Sequence, residues 1–397
     1  MFELQLQCFI YLHLLMKIVI APDKYKESLS ASEVASSIEK GIRQSMPDSE
    51  IVAIPLADGG DGTAEAIIYA THGKWKTVKT VDPLHREIRA KYGIINNDTA
   101  VFDIATASGL ALLKTEDRNP MTTDSFGSGL IIKNAIQHGY RKFIIGVGGS
   151  ATNDAATGLL TALGFRFLDR QGNCIPPCGG FLSAIREIND KHCLPELSDC
   201  SLTVLCDVTA NFYGNYGASQ IFARQKGAND VEIAKLDKGM ASFANILKKF
   251  TGKDVQTQQY AGAAGGIAGG LWALLNATLT QGIFPILELI KFDNILSNTD
   301  LVITGEGHID RQTLLGKTPF GVCQKAQQYG IPTIAFAGCV SDKDALIDAG
   351  FKDVVCIHPK PLPLRDAINP TTTRNHLQAA AQNLIVSFFR DKQKPVK

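Results

Sequence analysis

The stretch LVITGEGHIDRQTLLGKTPFGVCQKAQQYGIPTIAFAG, residues 301–338, decides the fold class. LVIT is a continuous apolar run and reads as a buried strand. GKTPFGVCQKAQQYG reads as the helix after it, with Thr318 as N-cap and Pro319 at the first helical position. Gly330 ends that helix, and IPTIAFAG opens a new strand. Strand, helix and strand within roughly 30 residues form a βαβ unit, whose strands are parallel. Between the first strand and the helix lies GEGHID, read as a glycine-rich loop. Such loops cradle phosphate with backbone N–H groups, yet Glu306 and Asp310 repel phosphate unless a cation lies between. The tail Gly316-Lys317-Thr318 is not a Walker A loop, because the first glycine of that motif is replaced by Arg311.

Working outward, four further apolar runs have the look of parallel-sheet strands: 17–22, 51–56, 332–337 and 354–358, beside 301–304. Helical stretches separate most of them. In the first, Ser30 and Glu33 form a capping box ahead of a stripe of Ala31, Val34, Ala35, Ile38 and Ile42. Alternating strands and helices imply an open, doubly wound parallel sheet of Rossmann-like α/β type. The middle of the chain has another texture: short strands near 75–104, a helix from Phe126 to Gln137, the strand FIIGV, a helix from Thr152 to Leu163, then TVLCDV. A second α/β domain inserted into the first accounts for this. The expected division is 16–82 and 277–397 for the discontinuous Rossmann-like domain and 83–276 for the insert.

Residues 1–15 are read as an N-terminal extension: apolar toward the end, without a basic n-region or a small-residue cleavage site, and too short to span a bilayer. The net charge of +1 over 397 residues leaves no electrostatic footprint for nucleic acid or an anionic membrane. Nine cysteines without a CxxC pair indicate reduced thiols and a cytoplasmic protein rather than a disulfide scaffold or a zinc site. The eight histidines show no ligand spacing.

Ligands of open parallel sheets bind beyond the carboxyl ends of the strands. Here those ends carry Asp23-Lys24-Tyr25-Lys26, Asp58-Gly59-Gly60-Asp61-Gly62, Gly305-Glu306-Gly307, Gly148-Gly149-Ser150-Ala151-Thr152-Asn153-Asp154, and Asp207. Turns and helix caps explain any one of these, since Asp and Asn are common there. All of them at one kind of edge point to hard oxygen ligands holding Mg²⁺, with the metal bridging to phosphate. Gly146-x-Gly148-x-x-Ala151 with Asp169 also matches a dinucleotide fingerprint, the basis of an alternative reading as an NAD(P)-dependent hydroxy-acid oxidoreductase. A second alternative is a non-catalytic sugar-acid-binding protein. GAAGGIAGG, residues 262–270, is either an anion loop or a close-packed helix face.

The stretches PDKYKESLSA, LADGGDGT, DPLHR, GVGGSATNDAATG, CDV, QKGA, GAAGGIAGG and GEGHIDRQTLLGKTPFGV, in this order, resemble the bacterial glycerate kinase family of two α/β domains. The resemblance spans most of residues 16–322. The family usually reads PDSFKGS where this chain has Lys24, Tyr25 and Glu27, arginine at His308 and glycine at His85. CDV continues as TANFYG rather than NPL, and Phe222-Ala223-Arg224 replaces FGP before QKGA. The resemblance implies ATP- and Mg²⁺-dependent phosphorylation of D-glycerate to 2-phosphoglycerate or 3-phosphoglycerate in an interdomain cleft. On this reading Asp61 or Asp207, on opposite sides of that cleft, is the catalytic base. Lys26 and Arg86 bind the glycerate carboxylate. Gly148, Gly149, Ser150, Thr152, Asn153, Lys226 and Lys317 bind nucleotide and phosphate. Asp154, Glu306 and Asp310 hold the metal. The partners are then the small molecules D-glycerate and ATP, with no nucleic acid or membrane.

Overall fold

The computed structural model describes residues 16–392, so the N-terminal extension lies outside the described residues. The strands are β1 (Lys17–Ile20), β2 (Glu50–Ala53), β3 (Lys74–Val81), β4 (Glu87–Ile95), β5 (Thr99–Asp103), β6 (Lys142–Gly146), β7 (Arg166–Leu168), β8 (Glu187–Asn189), β9 (Ser201–Cys206), β10 (Thr278–Gln281), β11 (Leu301–Ile309), β12 (Thr333–Val340) and β13 (Asp353–Cys356). The chain forms two compact units, one running to Asp58 and resuming at Ile283, the other Gly59–Gly282.

In the first unit a five-stranded sheet has the order β13-β12-β11-β1-β2, and every pairing is parallel. All five strand runs read from the sequence are in it. Its two faces are covered by different helices, as the alternation along β12 shows. Ile334 and Phe336 pack with Val34, Ile38, Leu377 and Ala381 from the helices Ala31–Ser45 and Pro370–Lys392. Ala335 and Ala337 pack with Cys323 of the helix Thr318–Gln328 and with Leu346. This is the doubly wound arrangement. The capping box of the first helix forms as read, with Glu33 N donating to Ser30 Oγ and Ser30 N to Glu33 Oε2. Each fully buried Ile of that helix contributes about 1.5–3 kcal/mol.

One expectation changes here. GEGHI is strand, not loop: β11 continues to Ile309 because Gly305, Glu306, His308 and Ile309 pair with Phe336, Ala337, Cys339 and Val340 of the long neighbour β12. Gly305 has to be glycine, since a Cβ there would stand 2.4 Å from Phe336 O.

In the second unit a six-stranded sheet has the order β10-β9-β6-β5-β4-β3. β10, β9, β6 and β5 are parallel, and the β5-β4 and β4-β3 pairs are antiparallel. A large core of aromatic, Ile and Leu side chains fills this unit, with a smaller cluster of Ala223, Ala228, Ile233 and Leu236 beside it. The helix Phe126–Gln137 has the limits read from the sequence. The helix expected over 152–163 is confined to Thr157–Ala162, because Ala155 and Ala156 are left-handed at φ 51° and 68°. The units change over at Asp58/Gly59 and Gly282/Ile283, where the sequence reading put 82/83 and 276/277. The physical reason is the helix Thr63–Thr71, which packs on β4 and β5.

Candidate functional site

In the first unit the polar groups gather beyond β1 and β2 and along the carboxyl-terminal half of β11. Asp23 follows β1 and is anchored by its own N–H, which donates to Gly305 O at 2.8 Å. Its side chain is buried, with Oδ2 accepting from Thr318 Oγ1 at 2.6 Å and Oδ1 from Lys24 N. Burial, then the nearby charge of Asp58, raises this carboxyl well above its ordinary range, against the bonds from Thr318 and Lys24. Thr318 is therefore not the helix N-cap that the sequence suggested. Lys317 takes that position, and Pro319 lies in the first turn.

Glu306 is also buried. Its Oε1 accepts from Thr313 Oγ1 at 2.7 Å, and its Oε2 lies 3.5 Å from Lys317 Nζ. Burial pushes its carboxyl up to about 7, with Lys317 opposing and Asp58 adding to the rise. Asp310 caps the turn Arg311–Leu315: its Oδ1 accepts from Gln312 N at 2.8 Å, and its own N–H donates to Thr313 Oγ1. Lys26 and His308 are exposed, and His308 Nε2 is 3.4 Å from Ser341 Oγ.

In the second unit the loop Gly59–Gly62 lies against the end of β6. Val147 N and Gly148 N both donate to Gly59 O. A Cβ on Gly148 would stand 2.5 Å from Gly60 Cα, and one on Gly146 would stand 2.4 Å from Asp103 Oδ1. These glycines permit two chain segments to touch, which is a packing reason for the apparent dinucleotide fingerprint. Its acidic partner Asp169 is occupied in a local turn, accepting from Gln171 N and Asn173 N. Asp103, at the end of β5, accepts from Gly62 N and Ala64 N and holds the loop at the helix start. Asp61 and Asp207 are both exposed. Both belong to this unit, where the sequence reading divided them between two domains.

The Ser150–Asp154 segment turns inward. Ser150, Thr152, Asn153 and Asp154 are all buried. Asp154 Oδ2 accepts from Ser125 N, Ser125 Oγ and Gly158 N at 2.9, 2.7 and 3.0 Å. Burial, then Asp124, raises its carboxyl to about 6. Asp154 Oδ1, Thr152 Oγ1 and Asn153 Oδ1 have no partner among the described residues. Lys226 is 2% exposed, and its ammonium donates to Ser150 Oγ at 3.0 Å and Thr152 O at 2.7 Å. Burial lowers it to about 8 while the charge of Asp154 opposes that.

Arg86, half exposed, donates from Nε to Asp82 and from an Nη to Asp117 Oδ2 at 3.1 Å. The neighbouring His85 adopts a left-handed φ of 61° and sets Nε2 at 2.7 Å from Asp124 Oδ2. The glycines of 262–270 resolve as close packing. A Cβ on Gly270 would stand 2.2 Å from Ala155 O, and one on Gly265 would stand 2.2 Å from Thr152 O.

Sequence reasoning left Thr313, Thr318, Asp103, Asp124 and Ser125 out of the site, and placed Asp23 and Asp58 at its edge without a specific role. The signal for Asp23 and Asp58 was their place right after strands. The threonines carried none. Among the described residues no three His, Cys, Asp or Glu side chains form a ready-made metal cage, and no helix is long and apolar enough to cross a membrane.

Comparison with known proteins supplies the rest. The profile described as "Glycerate kinase family" matches residues 18–388. Glycerate 2-kinase of Escherichia coli strain K12 is 45% identical over 328 residues, 82% of this chain and 86% of that protein. Glycerate kinase of Halalkalibacterium halodurans is 40% identical over 371 residues, 93% of this chain and 97% of that protein. Among solved structures, a putative glycerate kinase 2 from Salmonella typhimurium LT2 superposes with a TM-score of 0.82 at 39% identity, covering 96% of this chain and all of that one.

Proposed function

This chain belongs to the glycerate kinase family, and we propose that it transfers the γ-phosphoryl group of ATP to D-glycerate, giving 2-phosphoglycerate. The observation that carries the chemistry is the set of buried carboxylates Asp23 and Glu306 beside Lys317, with Asp58 acting on both. Carboxylates that raise one another's pKa are a poor arrangement for stability and a good one for a cation. The donor set fits Mg²⁺, which takes one or two carboxylates and completes its shell with water and substrate phosphates. Glu306 and Asp58 are the residues that would hold it. Asp310 supports the same turn. When bound, the ion neutralises charge on the transferred phosphoryl oxygens.

Lys317 is at the N-terminus of an 11-residue helix, where unpaired N–H groups and the helix dipole favour an anion. It binds phosphate on this reading. Gly148 and Gly149, with the backbone of Ser150, Thr152 and Asn153, line the second unit's loop for the nucleotide. Lys226 holds that loop from beneath. Arg86 and Lys26 receive the glycerate carboxylate. Asp61, beside Gly149, accepts the hydroxyl proton, and Asp207 is the other candidate. A coupled ADP assay tests the reading: glycerate- and Mg²⁺-dependent ADP release is expected, with the phosphorylated carbon identified by NMR. Absence of glycerate-dependent ADP release refutes the activity.

A further inference from the structure

Tyr25 lies in the short bridged turn after β1 and is 3% exposed. Its ring belongs to the core built on β1, β11 and β12. Its hydroxyl has no hydrogen-bond partner among the described residues. Burying an unpartnered hydroxyl costs about 1–3 kcal/mol, so phenylalanine is the better residue here if packing is all that is required. The hydroxyl is aimed at β11: a Cβ on Gly305 would stand 3.3 Å from Tyr25 Oη. The next residue is Glu306, the first charge acting on the phenol after burial. Both push the phenol well above its ordinary range, which keeps it a proton donor.

Glu306 has two unequal partners. Thr313 holds Oε1 at 2.7 Å, whereas Lys317 stands 3.5 Å from Oε2. The second contact is long for a charge-assisted hydrogen bond. Lys317 is also the group assigned above to phosphate. We propose that Tyr25 is a positioning residue for Glu306: its hydroxyl takes the carboxylate when Lys317 turns from Glu306 to a phosphoryl oxygen. The exchange keeps Glu306 oriented by two donors while the positive charge moves to the nucleotide. The inference rests on the reading of Lys317 as a phosphate ligand.

The test is Tyr25→Phe in the full-length enzyme, alone and combined with Lys317→Met. In the single variant the free protein keeps or raises its Tm, because only an unpartnered hydroxyl is removed. Its kcat/KM for ATP falls about tenfold, equivalent to one modest hydrogen bond, while KM for glycerate stays within about twofold. Lys317→Met releases Glu306 to Tyr25 in the free protein. Adding Tyr25→Phe to that background therefore lowers Tm, which it does not do alone. A lowered Tm in the single variant, or an unchanged kcat/KM for ATP, overturns the proposal. If Lys317→Met leaves KM for ATP unchanged, the assignment of Lys317 fails and this inference fails with it. A raised KM in Lys317→Met beside a silent Tyr25→Phe overturns the Tyr25 role alone.

Discussion

Replacing Lys226 by Met tests whether this lysine serves the fold from inside or reaches outward to phosphate. The ammonium is buried and makes two hydrogen bonds, to Ser150 Oγ and Thr152 O. Met keeps the length and loses both, worth about 1.5–3 kcal/mol each for a charged donor. It also relieves the desolvation that lowers the lysine from 10.5 to about 8, a shift equivalent to about 3 kcal/mol. The two effects oppose, so near neutral pH the variant is destabilised by only about 0–3 kcal/mol.

The pH dependence is the sharper readout. Between about pH 8 and pH 10 the unfolded chain still holds the lysine proton that the folded chain has released. The unfolded state then binds more protons, so stability rises with pH. The parent should gain on Lys226→Met by about 1.4 kcal/mol per pH unit in that window. Urea unfolding of both proteins across the window measures the difference, in which the tyrosines and other lysines cancel. A difference that stays flat with pH would falsify the buried position of the ammonium and return Lys226 to the role of a direct phosphate ligand.

The remaining predictions concern the reaction. Glu306→Gln should raise the Mg²⁺ requirement more than KM for glycerate; an unchanged Mg²⁺ titration reduces Glu306 to a structural group. The same variant should lose a stability slope. With the folded carboxyl at about 7 against 4.5 unfolded, the parent loses stability as pH rises through that interval, and the variant does not. Arg86→Lys keeps the charge and loses the planar fork, so KM for glycerate should rise with KM for ATP little changed. An unchanged glycerate KM removes Arg86 from the substrate site. Asp61→Asn should lower kcat by about 10²–10⁴-fold with both substrates still bound, and Asp207→Asn should mainly disturb binding. The reverse pattern makes Asp207 the base, and near-normal kcat in both moves the search to Asp23 and Asp58.

What the sequence discloses and what it hides follow from the range of the interactions. Ile18–Ile20 of β1 and LVIT of β11 are continuous apolar runs buried on both faces, and that property is visible residue by residue. The capping box at Ser30 and Glu33 closes over three residues and is equally local. The extension of β11 through GEGHI is not local. Glycines and charges argue for a loop, and only the register with β12 makes a strand of them. The site residues show the same division more sharply. Asp310 and Thr318 carry oxygen atoms suited alike to capping a turn or serving a site. The family resemblance assigned Asp310 to the metal, and the Thr-Pro pair placed Thr318 at the cap. In the fold Asp310 caps the turn Arg311–Leu315, two residues from its bonded N–H, while Thr318 bonds Asp23, 295 residues away. A cap is decided by neighbours in the chain, but whether an oxygen is free to leave its cap is decided by what the fold brings across from another strand. The carboxyl end of β1 brings Asp23, and so the hydroxyl that a local reading places at the helix start is drawn into the carboxylate cluster instead.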